Sequence, residues 1–193
     1  MMDSSHLYNF AFRGLLAKEA LDQVSRRNRG PAEGLNEKIA ARLPLESLDE
    51  SMIAAARLMA TVYVAIAAFE NSARQLISKV LLEKVGANWW ETCVSATIRK
   101  RVDGRRAEVT KFKWHQARGG DPIDYTDLGD LGNIVGQNWS HFEAYVPSLE
   151  WAKSLFDVIE RSRNVIMHSG TLELEDIERV GINIRDWIKQ VGV

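Results

Sequence analysis

The chain has 193 residues, of which 46% are hydrophobic and 26% are charged, and its formal net charge is -1. This composition is that of a globular protein, and the length suits one domain with a core of useful size. A net charge close to zero excludes a nucleic-acid binder that relies on a strongly basic overall surface, but it leaves room for a local basic patch.

The N-terminal part of the sequence predicts a helical arm. Helix signals dominate the chain, and each of the four prolines lies where a periodic stretch stops. Apolar residues at helical spacing predict one helix over about residues 5–29, and a shorter helical segment follows over residues 32–43. We therefore assign residues 1–45 to an N-terminal helical arm and residues 46–193 to the main helical domain.

A long central helix is predicted from about Leu48 to Val85. Ser47 and Glu50 have the spacing of a capping box at its start. The stretch Met59–Phe69 is apolar on nearly all sides, which predicts a buried position in the middle of a bundle. Glu70 and Arg74 follow this stretch with i,i+4 spacing, so they should share one face of the helix.

Membrane and redox signals point to the cytoplasm. The apolar stretch within the central helix is interrupted by Arg57, and we interpret it as too short and too charged to span a bilayer. The N-terminus lacks the apolar segment of a signal peptide. Cys93 is the single cysteine, so no intrachain disulfide is possible, and no Cys/His group has zinc-site spacing. We expect a cytoplasmic protein without a metal, another cofactor or a membrane partner.

A basic segment follows the central helix, from about Trp89 to His115, and Gly104 is a possible break in it. A charge run of this kind is usually a solvated helix face. If the protein binds RNA, this segment is the best candidate for phosphate contacts, and the predicted substrate-binding residues within it are Arg99, Arg101 and Arg105.

Three further helices are predicted in the C-terminal half. Their approximate ranges are Leu128–Gly136, Ser148–Ser169 and Leu174–Gln190. Ser148 follows a proline and can cap the second of these helices, whereas Gly170 can take the left-handed position at its end. For the tryptophans, core or interface packing is the default interpretation.

The last turns of the helix over residues 148–169 carry an unusual polar motif. Asn164 and His168 are four residues apart and therefore lie on one face. Arg163 is five residues before His168, about 140° away around an ideal helix, so the two do not share a face. Either the long arginine side chain reaches around the helix, or a second chain completes the site. A histidine near a helix C-terminus is suited to donate a proton to a leaving oxygen.

The order Arg-Asn-x-x-x-His near the end of a bundle helix resembles the hallmark of the HEPN superfamily. Residues 69–74 with the Trp89–Trp90 pair, and residues 127–142, resemble one branch of it. That branch occurs in a eukaryotic RNA endonuclease of transcription quality control and in bacterial defence proteins. The resemblance extends over about residues 59–170. Together with the helices predicted outside that range, it leads us to expect an all-α fold, a HEPN-like helical bundle with a long central helix, an added N-terminal helix and a C-terminal helix.

The resemblance implies a metal-independent endoribonuclease that forms a 2′,3′-cyclic phosphate by 2′-hydroxyl attack. His168 would act as general acid or base, Arg163 would bind the non-bridging phosphate oxygens, and Asn164 would orient His168 or the phosphate. HEPN sites usually form across a two-fold dimer, which implies a homodimer. Glu70 and Arg74 match a polar pair that often faces the site, although a structural ion pair is the more common role for such residues.

The resemblance further implies RNA as the substrate and a toxic effector of bacterial defence or of a toxin–antitoxin system, with an antitoxin or a regulatory protein as partner. Two alternatives remain open at this point. The chain can be a non-catalytic helical dimer that binds a protein, a nucleotide or RNA, with Arg163 as a surface arginine and His168 as a helix cap. It can also be one domain of a longer polypeptide.

Overall fold

The computed structural model describes residues 31–111 and 116–192. Within these ranges the secondary structure is helical, with eight α-helices and no β-strand, so the all-α prediction is confirmed. The helix predicted over residues 5–29 lies outside the described residues. The helices are α1 (Pro31–Ala40), α2 (Glu50–Val85), α3 (Trp89–Cys93), α4 (Ala96–Lys111), α5 (Leu128–Gln137), α6 (Trp139–Phe142), α7 (Leu149–Met167) and α8 (Leu174–Val191).

The chain divides into two units, residues 1–53 and residues 54–193. In the first unit, α1 begins at Pro31, a residue whose fixed φ suits the first position of a helix. A 3₁₀ turn, Leu45–Ser47, precedes α2. Every residue of the predicted active site lies in the second unit.

The start of α2 is capped by Asp49, and the predicted capping box of Ser47 and Glu50 is wrong. The Asp49 Oδ1 atom accepts hydrogen bonds from the backbone N–H groups of Ser51, at 2.9 Å, and Met52, at 3.3 Å. The hydroxyl of Ser51 donates to the same oxygen. Asp49 directly precedes the first helical residue, the position from which a short side chain reaches these N–H groups.

The cap at Asp49 makes part of the stability depend on pH. The Ser51 hydroxyl, followed by the backbone N–H groups of Met52 and Ser51, lowers the pKa of Asp49 below its usual 3.8. A carboxyl whose pKa is lower in the folded state stabilises the fold above its unfolded pKa, and this contribution is lost as the pH falls through the folded pKa. Because asparagine caps equally well without titrating, we expect Asp49→Asn to flatten the fall in unfolding free energy below about pH 4.

The measurement is urea unfolding, followed by circular dichroism, at a series of acidic pH values. Asp157→Asn, which removes an exposed carboxylate inside α7, is the matched control and should leave the pH dependence unchanged. Parallel pH curves for wild type and Asp49→Asn would show that the cap does not titrate as described.

Only one face of α2 is buried, so the prediction of a helix surrounded by core is wrong for its outer face. Met59, Val62, Ile66 and Phe69 are buried, whereas Leu58 and Val64 are 61% and 68% exposed. By length and composition α2 is apolar enough to cross a membrane, and it is the single described helix that meets this test. The prediction that this apolar stretch is too short and too charged to span a bilayer therefore does not hold for the whole of α2. Core helices of soluble proteins meet the same criterion.

Three aromatic rings hold α2, α7 and α8 together. The ring of Phe69 lies 5.8 Å from that of Phe156 and 5.4 Å from that of Trp187, and the last two rings are 5.8 Å apart. All three side chains are buried. The tilted and edge-on geometries are those in which aromatic pairs attract most strongly. This cluster fixes α7 against α2 directly next to Glu70.

The basic segment is broken at a different place from the predicted one. The chain leaves α3 at Val94, which is extended and 3% exposed, and α4 then runs through Gly104 without a break. A single glycine inside a helix costs only about 1 kcal/mol, so α4 continues through Gly104. The ends of α2, α5, α7 and α8 lie within two residues of their predicted positions.

Candidate functional site

Helix α7 brings the polar motif to the surface at its C-terminal end. The Oγ of Ser148 accepts a hydrogen bond from the backbone N–H of Trp151 at 3.1 Å, so the predicted cap at its start is confirmed. Buried residues on one face anchor the first three turns, and they are Ala152, Leu155, Phe156 and Ile159. The motif residues follow on the last two turns, where fewer side chains are buried.

The helix ends through a left-handed residue at Ser169, whose φ is 62°. The N–H of Gly170 donates to the carbonyl of Val165 at 2.8 Å, and the N–H of Ser169 donates to that of Ile166 at 3.0 Å. These are the two hydrogen bonds of a Schellman end. The prediction that Gly170 takes the left-handed position is therefore wrong by one residue. Glycine is still needed at position 170, because a Cβ on this residue would lie 2.9 Å from the Val165 carbonyl oxygen.

A substitution at Ser169 tests this geometry. A residue with a Cβ in the left-handed region costs about 1 kcal/mol relative to glycine. We therefore expect Ser169→Gly to raise the free energy of unfolding by about 1 kcal/mol, as measured by urea denaturation. The control is Ser154→Gly, at an exposed position inside the same helix, which should lower it by about 0.5 kcal/mol. Destabilisation by both substitutions would contradict the left-handed end.

Glu70 is the centre of a partly buried polar group that joins α2 to α7. Its side chain is 13% exposed, and it forms an ion pair with Arg74 one turn further along α2. Its second carboxylate oxygen lies 4.0 Å from the Nε of Arg163, whose side chain is 29% exposed. One carboxylate thus lies between two guanidinium groups. The three side chains together carry one excess positive charge, so the group is electrostatically suited to an anion.

Arg74 is held in place from several sides. Its guanidinium donates to the Thr126 carbonyl oxygen at 2.9 Å and to the Asn71 side chain at 3.0 Å. Thr126 is buried and lies just before α5. These contacts make Arg74 an anchor between α2 and the start of α5, and they fix the carboxylate of Glu70 that faces Arg163. The geometry favours the structural ion pair over direct contact with a substrate for Arg74.

The three motif residues are arranged on two sides of α7. One terminal nitrogen of Arg163 lies 3.5 Å from the side-chain oxygen of Asn164, so the guanidinium extends from Glu70 towards the amide. Asn164 and His168 are exposed, and the backbone N–H of His168 donates to the Asn164 carbonyl at 3.1 Å. The imidazole of His168 has no hydrogen-bond partner within the described ranges. The structure therefore brings Arg163 to Glu70 and leaves His168 open to a ligand or another chain.

Arg161 is a cation that the sequence reasoning did not single out. It precedes Asn164 by three residues and His168 by seven, a spacing that puts all three on one face of the helix. It lines a cavity of about 220 Å³ between α7 and α8, together with Arg179 and Asp176. The i,i+3,i+7 spacing was the signal in the sequence that identifies it.

Arg101 and Arg105, two of the predicted phosphate contacts, are engaged in ion pairs. Asp130, which is 2% exposed, lies 2.6 Å from Arg101 and 2.8 Å from Arg105. Arg105 also pairs with Asp127 and donates to the Tyr125 carbonyl oxygen at 2.9 Å. Arg105 therefore ties α4 to the start of α5, and the prediction that it contacts substrate is not supported. Arg101 is half-exposed but shares the same carboxylate.

Arg99, the third predicted contact, forms no ion pair or side-chain hydrogen bond with the described motif residues. It lines a cavity of about 420 Å³ formed by α3, α4 and Pro122. In the part of the chain that the structure describes, no cluster of three or more His, Cys, Asp or Glu side chains could hold a metal ion.

A family model described as Swt1-like HEPN matches residues 65–192. The match covers more than half of the chain, from Ala65 in α2 to the end of α8, and it includes Glu70 and the whole segment Arg163–His168. This chain belongs to the Swt1-like HEPN family. The superfamily prediction is thereby confirmed, and the Swt1-like HEPN match extends over α8, beyond the end of the predicted resemblance at residue 170. Among curated proteins and solved structures, no significant match was found.

Proposed function

We propose that this Swt1-like HEPN protein is an endoribonuclease that needs no metal ion and acts as a homodimer in the cytoplasm. The observation that carries the proposal is the contact between Glu70 and Arg163. It holds a half-buried guanidinium beside the exposed side chains of Asn164 and His168. A fixed cation next to an imidazole that can act as general acid or base is what phosphodiester cleavage requires.

The proposed reaction is transfer of the phosphate to the neighbouring ribose oxygen. The RNA 2′-hydroxyl loses its proton to one imidazole, and its oxygen forms a bond to the adjacent phosphorus. The bond from phosphorus to the 5′-oxygen breaks, and a second imidazole, initially protonated, donates a proton to that oxygen. His168 fills both roles in the two copies, Arg163 stabilises charge on the non-bridging oxygens, and Asn164 orients the imidazole.

The geometry of α7 supports the proposal that a second chain completes the site. One chain supplies one imidazole in this segment, whereas the reaction uses a general base and a general acid. Arg163 and His168 are also about 140° apart around the helix. Large apolar side chains surround the end of α7, with Val165, Met167 and Leu174 exposed by 39%, 52% and 75%. Such a patch next to the motif gives a second copy an apolar surface to cover.

A non-catalytic helical dimer that binds a protein, a nucleotide or RNA is the second candidate. The exposed apolar side chains at the end of α7, Val165, Met167 and Leu174, favour it, because a helical dimer can use them without any chemistry at His168. In either case a role as a toxic effector, controlled by an antitoxin or a regulatory protein, fits the family's branch. Reduced growth of a bacterial host on expression of the chain, relieved by His168→Ala, would support the toxic role.

The decisive experiment is incubation of the full chain with structured and single-stranded RNA in EDTA. We expect fragments whose 3′ ends carry a 2′,3′-cyclic phosphate, identified by mass spectrometry. The same RNA with 2′-O-methyl groups lacks the nucleophile and should remain intact. Cleavage that EDTA abolishes, or equal cleavage of the methylated RNA, would contradict the mechanism. RNA binding without cleavage would support the non-catalytic candidate.

A further inference from the structure

The cations of α4 divide into two sets that face different surroundings. Arg101 and Arg105 face the carboxylates at the start of α5. Arg99, Lys100 and Arg106 form no ion pair with any described residue. These three line the cavity of about 420 Å³ beside α3, which we name the α4 pocket. Arg99 and Arg106 are seven residues apart, so they lie on one side of α4 two turns from each other.

The wall of the α4 pocket carries an excess of positive charge. Three cations, Arg99, Lys100 and Arg106, face two carboxylates, Glu91 and Asp103. Since none of the three cations is neutralised by a direct ion pair within residues 31–111 and 116–192, their donors are available to an anion. A bound group with negative charge would remove the repulsion among them.

The two arginines of the α4 pocket are held in different ways. The Nε of Arg99 is buried and, like the Nε of Arg74, has no hydrogen-bond partner among the described residues, so Arg99 offers only its terminal nitrogens to a ligand. The guanidinium of Arg106 lies over the ring of Tyr125, 5.6 Å from its centre. This stacking holds the group in place while its N–H donors at the edge stay free.

The α4 pocket is connected to the motif residues through one short turn. Arg106 stacks on the ring of Tyr125, and the next residue, Thr126, accepts a hydrogen bond from Arg74. Arg74 shares the carboxylate of Glu70 with Arg163. The pocket and the proposed catalytic group are therefore linked through Tyr125, Thr126 and Arg74, and a ligand that carries several phosphates has an anionic group for each.

We propose that the α4 pocket binds backbone phosphates of the RNA strand whose scissile phosphodiester lies at Arg163 and His168. This inference rests on the proposed function for the identity of the strand. The phosphate ligand itself could also be that of a free nucleotide, and the experiment separates the two sources. The pocket anchors the substrate away from the bond that breaks, so it contributes to affinity and leaves the chemical step unchanged.

The test uses the full chain and a short fluorescein-labelled RNA with 2′-O-methyl groups throughout, which cannot be cleaved. Fluorescence anisotropy gives its dissociation constant at several salt concentrations. For Arg99→Ala/Arg106→Ala we expect about hundredfold weaker binding, since each of the two charge-assisted hydrogen bonds that are lost contributes roughly one power of ten. We also expect the binding constant to depend less on salt. The slope of its logarithm against the logarithm of the salt concentration should be smaller by about 0.7 for each phosphate that the variant no longer neutralises. The matched control, Arg185→Ala/Lys189→Ala, removes the same charge from exposed positions on α8 and should bind as the parent does.

Three outcomes would overturn the inference. The first is unchanged RNA binding by Arg99→Ala/Arg106→Ala, and the second is equal weakening of RNA binding in the control. The third is binding of adenosine monophosphate to the pocket of the parent, combined with normal RNA binding by the pocket variant. Lys100→Glu is a second pocket variant. Its side chain is exposed and its charge can be reversed without disturbing the core, so weaker RNA binding by this variant would not be due to misfolding. Loss of cleavage in His168→Ala together with unchanged RNA binding by the pocket variants would refute the pocket alone. Pocket-dependent RNA binding without any cleavage by the parent would refute the nuclease alone.

Discussion

Replacement of His168 by alanine is expected to lower the rate of RNA cleavage by about a thousandfold, because general acid–base catalysis contributes between about two and four powers of ten. In the proposed dimer the substitution removes the general base and the general acid together. RNA binding should change little, since proton transfer by the imidazole stabilises the transition state and not the bound substrate. The measurement is single-turnover cleavage in EDTA, with the dissociation constant of methylated RNA measured in parallel.

Arg163→Ala should lower the same rate by about a hundredfold or more, because it removes the donor that stabilises charge on the phosphate. Arg163→Lys should recover only part of the rate, since an ammonium group cannot bind two oxygens in the fork geometry of a guanidinium. His141→Ala, in the short helix α6, is the matched control for loss of a histidine and should cleave as the parent does. Full activity of His168→Ala or Arg163→Ala would refute the assigned roles.

Replacement of Asp130 by alanine is expected to be the most destabilising change in the polar groups described. The carboxylate is 2% exposed and lies 2.8 Å from Arg105, which is only partly exposed. Arg105 keeps its ion pair with Asp127, so the cost is at the lower end of the range for breaking a buried ion pair, about 3 kcal/mol. Asp130→Ala also removes a hydrogen bond at the start of α5. In this bond the Asp130 carboxylate accepts from the backbone N–H of the capping residue Asp127 at 3.3 Å. The pair with Arg101 adds little, because that side chain is half-exposed.

Thermal unfolding should show a fall in Tm of about 10 °C for Asp130→Ala, given the usual entropy of unfolding of a chain of this length. Asp157→Ala, which removes an exposed carboxylate from α7, should change the unfolding free energy by less than about 0.5 kcal/mol. If the two variants have the same stability, the ion pairs at the start of α5 are dispensable. Because Thr126 lies in the turn that Asp130 helps to fix, and because it anchors Arg74, we also expect cleavage to fall in Asp130→Ala.

The amino-acid sequence alone was sufficient to establish the helical class, the approximate ends of most helices, the family and the position of the polar motif. Apart from the family, whose motifs are spread over about residues 59–170, these features depend on residues within about one or two turns of each other. The apolar spacing of α7 and the cap at Ser148 are examples, and both are confirmed. Local patterns of this kind are visible in a sequence because they repeat with the period of the helix.

Which charged residues are free became clear only in the folded chain. Arg105 meets Asp130 across 25 positions and Arg74 meets Thr126 across 52, and neither partner follows from helical spacing. The basic segment therefore looked uniform in the sequence, whereas the fold engages Arg105 and leaves Arg99 open. The left-handed end at Ser169 likewise depends on how the chain turns back towards α2 after α7. Charge pairing and backbone strain depend on which helices pack together. This packing is determined by the aromatic core, not by the charged residues that the helices carry.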